Sequence, residues 1–297
     1  MTTEPPEPPE PPERPDNRVE RWSGRVLRVL APNPSPMTLE GTNTFVVAEP
    51  GAATVAVVDP GPAAAEHAER VARACAGRRV ELVLLTHTHP DHAEGAAAFA
   101  EWAGAPLAAV AREASTAGAP ALAGGAPLDV AGLRLVPVPT PGHAADHCSF
   151  LLAADRALFS GDHILGRGST VVAWPDGDLR AYLRSLELLQ GLDLARIYPG
   201  HGPLVPDAPA KVAEYIAHRN ERERQVLDAL AAGARSVDDV VDHVYVGLDG
   251  RLRPAAGLSV RAHLDKLVAE GRARRDGDLV EPGPAAGGET PHAGVGP

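Results

Sequence analysis

Aromatic residues are scarce: Phe, Trp and Tyr make up 4 % of the 297 residues, so Ala, Val and Leu must carry the packing. Cysteine is nearly absent. Cys75 and Cys148 form no metal-ligand spacing, which excludes a thiolate site and leaves two small buried hydrophobes in a reduced protein. Positive charge is in deficit. The net charge of −11 argues against broad affinity for nucleic acid or anionic membranes, though it leaves room for a local basic patch. No apolar run approaches the length of a membrane span, and no basic and apolar signal segment opens the chain. A cytoplasmic location is therefore expected. What is present is ordinary globular material, 44 % hydrophobic, long enough for one large domain and a small one.

The informative stretch is Thr86-His87-Thr88-His89-Pro90-Asp91-His92. It follows Val80–Leu85, an apolar run that reads as a buried parallel strand, and precedes Glu94–Trp102, an Ala-rich helix. Three imidazoles and a carboxylate thus sit in a loop at the C-terminal end of a strand, where open α/β sheets place their sites. Both groups are good zinc ligands. Four of them within six residues diverge too much for one tetrahedral ion, and fit two neighbouring ions completed from elsewhere. A solvated polar loop is the competing reading, disfavoured because histidine is rare in ordinary loops.

Three later stretches repeat the setting. Thr140-Pro141-Gly142-His143 follows Leu133–Val138, Ser160-Gly161-Asp162-His163 follows Ala157–Phe159, and Tyr198-Pro199-Gly200-His201-Gly202 follows Ala195–Ile197. In each, a small or turn-forming residue lets the backbone bend and aim a ligand back over the strand ends. As an ordered set, running from about Gly41 to Gly202, these motifs resemble the dinuclear hydrolases of the metallo-β-lactamase superfamily. The resemblance implies an α/β fold, the four-layer αβ/βα sandwich. It also implies that His87, His89 and His143 hold a first zinc, that Asp91, His92 and His201 hold a second, and that Asp162 bridges them. Two Zn2+ per chain would share a hydroxide that attacks the substrate. Asp91 is the other catalytic candidate, as a proton acceptor, although a ligand makes a poor free base. Asp59, at the end of the strand Thr54–Val58, is either a turn-initiating residue or one that orients a ligand histidine. The resemblance favours the second.

Departures from other branches narrow the chemistry. A zinc β-lactamase often has Cys in place of Asp162 and often lacks His92. The diiron oxidoreductases carry an acidic residue where His89 stands. The polynucleotide-processing branch needs a longer segment between Asp162 and His201. A mononuclear iron sulfur dioxygenase, whose ligands overlap the first set, stays open.

Outside the motifs, residues 1–17 are almost all Pro and Glu after the first few, and are expected to be a disordered tail of extended character. The hydrolase domain is expected over 18–208. Arg25–Leu30, Thr44–Ala48, Thr54–Val58, Pro106–Val110, the hairpin Pro127–Val130 with Leu133–Val138, Cys148–Leu152 and Arg196–Tyr198 read as strands. Ala63–Ala76 reads as a helix, as does a segment capped by Asp178. A linker helix, Pro209–Ala231, leads into a small C-terminal domain ending at 281. There Ser236-Val237-Asp238-Asp239 is a capping box, Leu258–Glu270 a helix, and Asp276-Gly277 a hairpin turn. Helix, helix, helix, hairpin is a winged-helix pattern. Residues 282–297 are expected to be a loose tail.

With Gly41–Thr44, Asp146-His147, Ile197–Pro203 and His218-Arg219-Asn220 added, the whole arrangement resembles the lactamase-beta-like-2 group. That resemblance implies endoribonuclease activity on single-stranded RNA, or glyoxalase II-like hydrolysis of a small acyl thioester. The matched motifs lean to RNA. The acidic balance, and the mixed charges of the winged helix, lean to the acyl substrate; RNA is narrowly preferred, because motifs matched beyond the ligands are more specific than net charge. Duplex DNA is not expected, and the winged helix reads first as a packing or dimerisation module. Asp146 and His147 read as substrate or His143 contacts, or as an ordinary polar turn, and His163 as support for its neighbour. His218, Arg219 and Arg222 share a helical side, which either meets an anionic substrate or is a charged face. His67, His243, His263 and His292 receive no role.

Overall fold

The computed structural model describes residues 18–283, Pro175 excepted. The expected tail at 1–17 lies outside the described residues, as does that at 282–297 but for its first two residues. Strands β1 (Val19–Arg21), β2 (Val26–Leu30), β3 (Asn43–Val47) and β4 (Thr54–Val58) open the chain. Helix α1 (Ala65–Ala74) leads to β5 (Arg79–Leu84), then come α2 (Pro90–Ala93), α3 (Ala96–Ala103) and β6 (Leu107–Ala108). These six strands form one sheet in sequence order, parallel across β4, β5 and β6. From Val55 to Val58 β4 is wholly buried, as a parallel strand covered on both faces must be.

The second sheet holds β7 (Leu128–Val130), β8 (Leu133–Pro139), β9 (Cys148–Leu152), β10 (Ala157–Gly161) and, after α4 (Leu179–Gln190), β11 (Arg196–Pro199). Its order is β11-β10-β9-β8-β7, with only β10 and β11 parallel. The few aromatics are spent where the sheets meet. Phe45 of β3 lies 5.0 Å from Phe159 of β10, ring centre to centre, and Tyr198 of β11 joins them at 5.1 Å from Phe159. Outside the sheets, α1 and α3 cover the first, through Val71 and Phe99. The second is covered by α4 and by α5 (Ala208–Ala231), which bury Tyr182 and Tyr215. This is the four-layer αβ/βα sandwich.

The C-terminal part is a winged helix with its own core. Val226 and Leu230 of α5 meet Val240 and Val241 of α6 (Val237–Val244). Val260, Leu264 and Leu267 of α7 (Arg253–Ala269) and Val280 of the hairpin β12 (Ala273–Asp276) and β13 (Leu279–Pro282) complete it. Ser236 and Asp239 form the reciprocal capping box at the start of α6.

Some boundaries differ from expectation. Asp91 and His92 are not in an open loop but on α2, a single helical turn that Pro90 starts after the extended His89. The helix expected from Glu94 starts at Ala96, and that expected from Leu258 starts at Arg253, with Pro254 in its first turn. The strand expected at 106–110 shrinks to two residues, and β1, short and mostly exposed, has no periodic signal to find. Among the described residues no helix is long and apolar enough to cross a membrane.

Candidate metal centre

The strand ends deliver their side chains to one place. His87, His89 and His143 each offer a donor atom within 4.8 Å of the others, and so do Asp91, His92, Asp162 and His201. The structure thus brings together all seven residues read from the sequence. Asp162 spans the two groups: Oδ1 lies 3.2 Å from Nε2 of both His92 and His201, and Oδ2 lies 3.7 Å from Nε2 of His143. Asp91 Oδ2 lies 3.1 Å from His201 Nε2, on the more open side.

Glycines make the close approach feasible. A Cβ on Gly200 would stand 2.7 Å from Asp162 Oδ1 and from His92 Cε1. Gly161 adopts φ +47°, and a Cβ there would meet Thr86 Oγ1 at 2.6 Å. Asn43, quoted above only as part of a motif, locks the last loop by donating Nδ2–H to the carbonyls of Pro199 and Gly202, each at 2.9 Å.

Each imidazole is fixed by its far nitrogen. His92 Nδ1 faces Asp59 Oδ2 at 2.9 Å, His201 Nδ1 faces the Gly41 carbonyl at 3.2 Å, and His143 Nδ1 faces the Val171 carbonyl at 2.9 Å. His87 Nδ1 donates to Thr86 Oγ1 at 3.0 Å, because that hydroxyl spends its own proton on Asp59 Oδ2. These four rings therefore turn a lone pair on Nε2 toward the centre. His89 is reversed: Nε2 faces Asp176 Oδ2 at 3.5 Å, and Nδ1 faces inward. Asp176 carries no sequence signal for this contact.

The electrostatics fit a cation. Nε2 of His87 is buried and has no hydrogen-bond partner among the described residues. Burial, with His92 and His147 beside it, holds that ring well below its usual pKa. Burial opposes charge on His201 too, but Asp162 and Asp91 outweigh it and raise the ring to about 9. Asp162 is pushed up by burial, yet His201 and His92 hold it well below the usual carboxylate range. Converging lone pairs and carboxylates in a buried spot are the pattern a divalent cation resolves, displacing imidazole protons as it binds.

The remaining candidates separate. His147 is buried and accepts the Asp162 N–H on Nε2 at 3.2 Å, while Nδ1 faces Thr140 Oγ1 at 2.9 Å, so it is no polar-turn residue. His163 is buried against the Tyr182 ring, 4.4 Å between centres. His67, given no role above, is hydrogen-bonded to Thr44 Oγ1 at 2.8 Å. Arg219 turns inward rather than forming part of an exposed charged face, and donates to the Thr170 carbonyl.

Residues 37–201 match the family profile of the Metallo-beta-lactamase superfamily, and residues 236–282 that of the Beta-lactamase associated winged helix domain. The chain belongs to the metallo-beta-lactamase superfamily, whose members are generally hydrolases. It is 36 % identical to the Beta-lactamase-like protein 2 homolog of Caenorhabditis elegans, over 85 % of this chain and 87 % of that one. It is 35 % identical to the Atrochrysone carboxyl ACP thioesterase of Aspergillus chevalieri, over 76 % and 75 %. Among solved structures, a metallo-beta-lactamase family protein from Thermus thermophilus superposes with a TM-score of 0.70 at 26 % identity, covering 86 % of this chain and 98 % of that one.

Proposed function

We propose that the chain is a zinc-dependent hydrolase of acyl thioesters. His87, His89 and His143 hold one ion, Asp91, His92 and His201 the other, and Asp162 reaches both. When bound, two zinc ions supply Lewis acidity and lower the pKa of water at the site to about 7. The chain's own residues orient and screen. Asp59 and the carbonyls of Gly41 and Val171 fix the ring planes. Asp91, its side chain 27 % exposed against 13 % for Asp162, is the better placed of the two to exchange a proton with substrate or solvent.

One observation carries the choice of substrate. Among the described residues, no Lys or Arg pairs with Asp59, Asp91, Asp162 or Asp176, whose ionic partners are all histidines. Beside the site, Trp174 is exposed with the Arg261 guanidinium 5.6 Å from its ring centre, which is one cation and not a track, while Asp176 adds a negative charge next to His89. An RNA strand wants a cationic track for its phosphates. An acyl thioester needs none, and a relative named as a thioesterase supports the same reading. Thioester thus displaces single-stranded RNA as the preferred substrate. A mononuclear iron reading would leave Asp91, His92 and His201 without a task.

The test sets the protein and its Asp162→Ala variant against an acyl-glutathione thioester and against unstructured RNA. Metal-dependent thioester turnover, lost at least about a hundredfold in the variant, is expected. Metal-dependent RNA cleavage lost in the variant, with the thioester untouched, would restore RNA.

A further inference from the structure

The segment from Asp162 to Thr170 leaves the end of β10 and is held from two helices. Tyr182 of α4 donates its hydroxyl to the His163 carbonyl at 2.6 Å. Tyr215 of α5 accepts the Leu165 N–H at 2.9 Å. Thr170 closes the segment on itself, its Oγ1 donating to the Asp162 carbonyl at 2.7 Å. Thr170 is in turn held by Arg219, whose Nη2 donates to its carbonyl, and the guanidinium lies 5.0 Å from the centre of the Tyr182 ring.

Arg219 is only 3 % exposed, and among the described residues no carboxylate forms an ion pair with it. Among the described residues its Nε has no hydrogen-bond partner. A guanidinium taken out of water without a counter-ion is costly. What Arg219 does that an apolar residue cannot is hold the Thr170 carbonyl and lay its charge over the Tyr182 ring.

We propose that Arg219 is a positioning residue for the metal centre: acting through Thr170 it sets the backbone of Asp162, and so makes α5, the helix that leads into the winged helix, part of the site's support. The inference rests on the reading of Asp162 as a metal ligand, and not on the choice of thioester. It gives α5 a role that requires no nucleic acid.

The test titrates the metal-depleted full chain with cobalt, read by its visible absorption, alongside thioester kinetics. Variants are Arg219→Met, Arg219→Lys, Thr170→Val, the double variant and Asp162→Ala. Arg219→Met and Thr170→Val should each weaken the second cobalt equivalent by about tenfold or more and shift its spectrum. They should lower kcat while leaving KM within about twofold, because ground-state binding is untouched. Arg219→Lys, which keeps a donor for the Thr170 carbonyl, should recover part of the loss. The double variant should be little worse than either single one, since both act along one route. Thr170→Val deletes a single hydroxyl and keeps the proposal testable should Arg219→Met fail to fold. Wild-type affinity and spectrum in Thr170→Val, with one equivalent lost in Asp162→Ala, would overturn the positioning role. If Asp162→Ala itself kept both equivalents, the ligand assignment would fall and the positioning role with it.

Discussion

Asp59 Oδ2 stands 2.9 Å from Nδ1 of His92, and the same carboxylate takes both the N–H and the hydroxyl of Thr86, each at 2.7 Å. One buried carboxylate therefore accepts three hydrogen bonds, two of them setting rings of the candidate metal centre: His92 directly, and His87 through Thr86. Its backbone holds φ +50°, a conformation that Asp and Asn tolerate better than other side chains.

Asp59→Asn isolates the carboxylate from the backbone effect. The amide keeps one acceptor but turns an NH2 toward groups that are themselves donors. His92 then loses the bond that fixes its tautomer. Affinity for the second ion should fall about ten- to a hundredfold, measured by competition with a chelator of known strength. Unchanged affinity would show that Asp59 only shapes the turn.

Gly200→Ala tests the closeness of the cluster. The added Cβ falls 2.7 Å from Asp162 Oδ1, which must turn away from its place between His92 and His201, and 3.0 Å from the Gly161 carbonyl carbon, which is strand-end backbone. The variant should fold but retain about one metal equivalent after dialysis, read by elemental analysis. Retention of two would mean that the Asp162 side chain relaxes freely.

The seven donors were legible because imidazole and carboxylate at strand ends have a chemistry of their own, and Gly before His143, Asp162 and His201, with Pro before Asp91, announces the bend. The two-sheet core was legible as well, since period-two and all-apolar strands leave marks that survive without context. Thr170, Asp176 and Arg219 were not. Their roles exist only once loops far apart in sequence meet, and Arg219 in particular reads in isolation as one more charge on a charged helix. His92 was found as a donor, but the helical turn beneath it was not, because four residues are too few to show a helical period.

His263 gives the fold an acid-sensitive point. It is buried in α7, and among the described residues neither ring nitrogen has a hydrogen-bond partner. Burial, then the charges of Arg219, Arg222, Lys266 and His218, push its pKa from 6.5 down to about 3. The folded state thus holds the neutral ring, while the unfolded chain takes up a proton once pH falls below about 6.5. The stability this group contributes is complete above pH 6.5 and is lost as pH falls toward 3. By pH 4 the loss is on the order of 3 kcal/mol. His263→Leu should remove most of it. Urea unfolding at pH 7 and pH 4, with chelator present so that metal loss does not enter, should show a smaller difference in the variant. An identical difference in both proteins would contradict the assignment.

The decisive measurement is thioester turnover by the metal-depleted chain as zinc is added back in known equivalents. If Asp162 joins two ions into one working centre, activity stays low through the first equivalent and rises to a plateau at two. Turnover indifferent to zinc, or complete at a single equivalent, would contradict a dinuclear hydrolase.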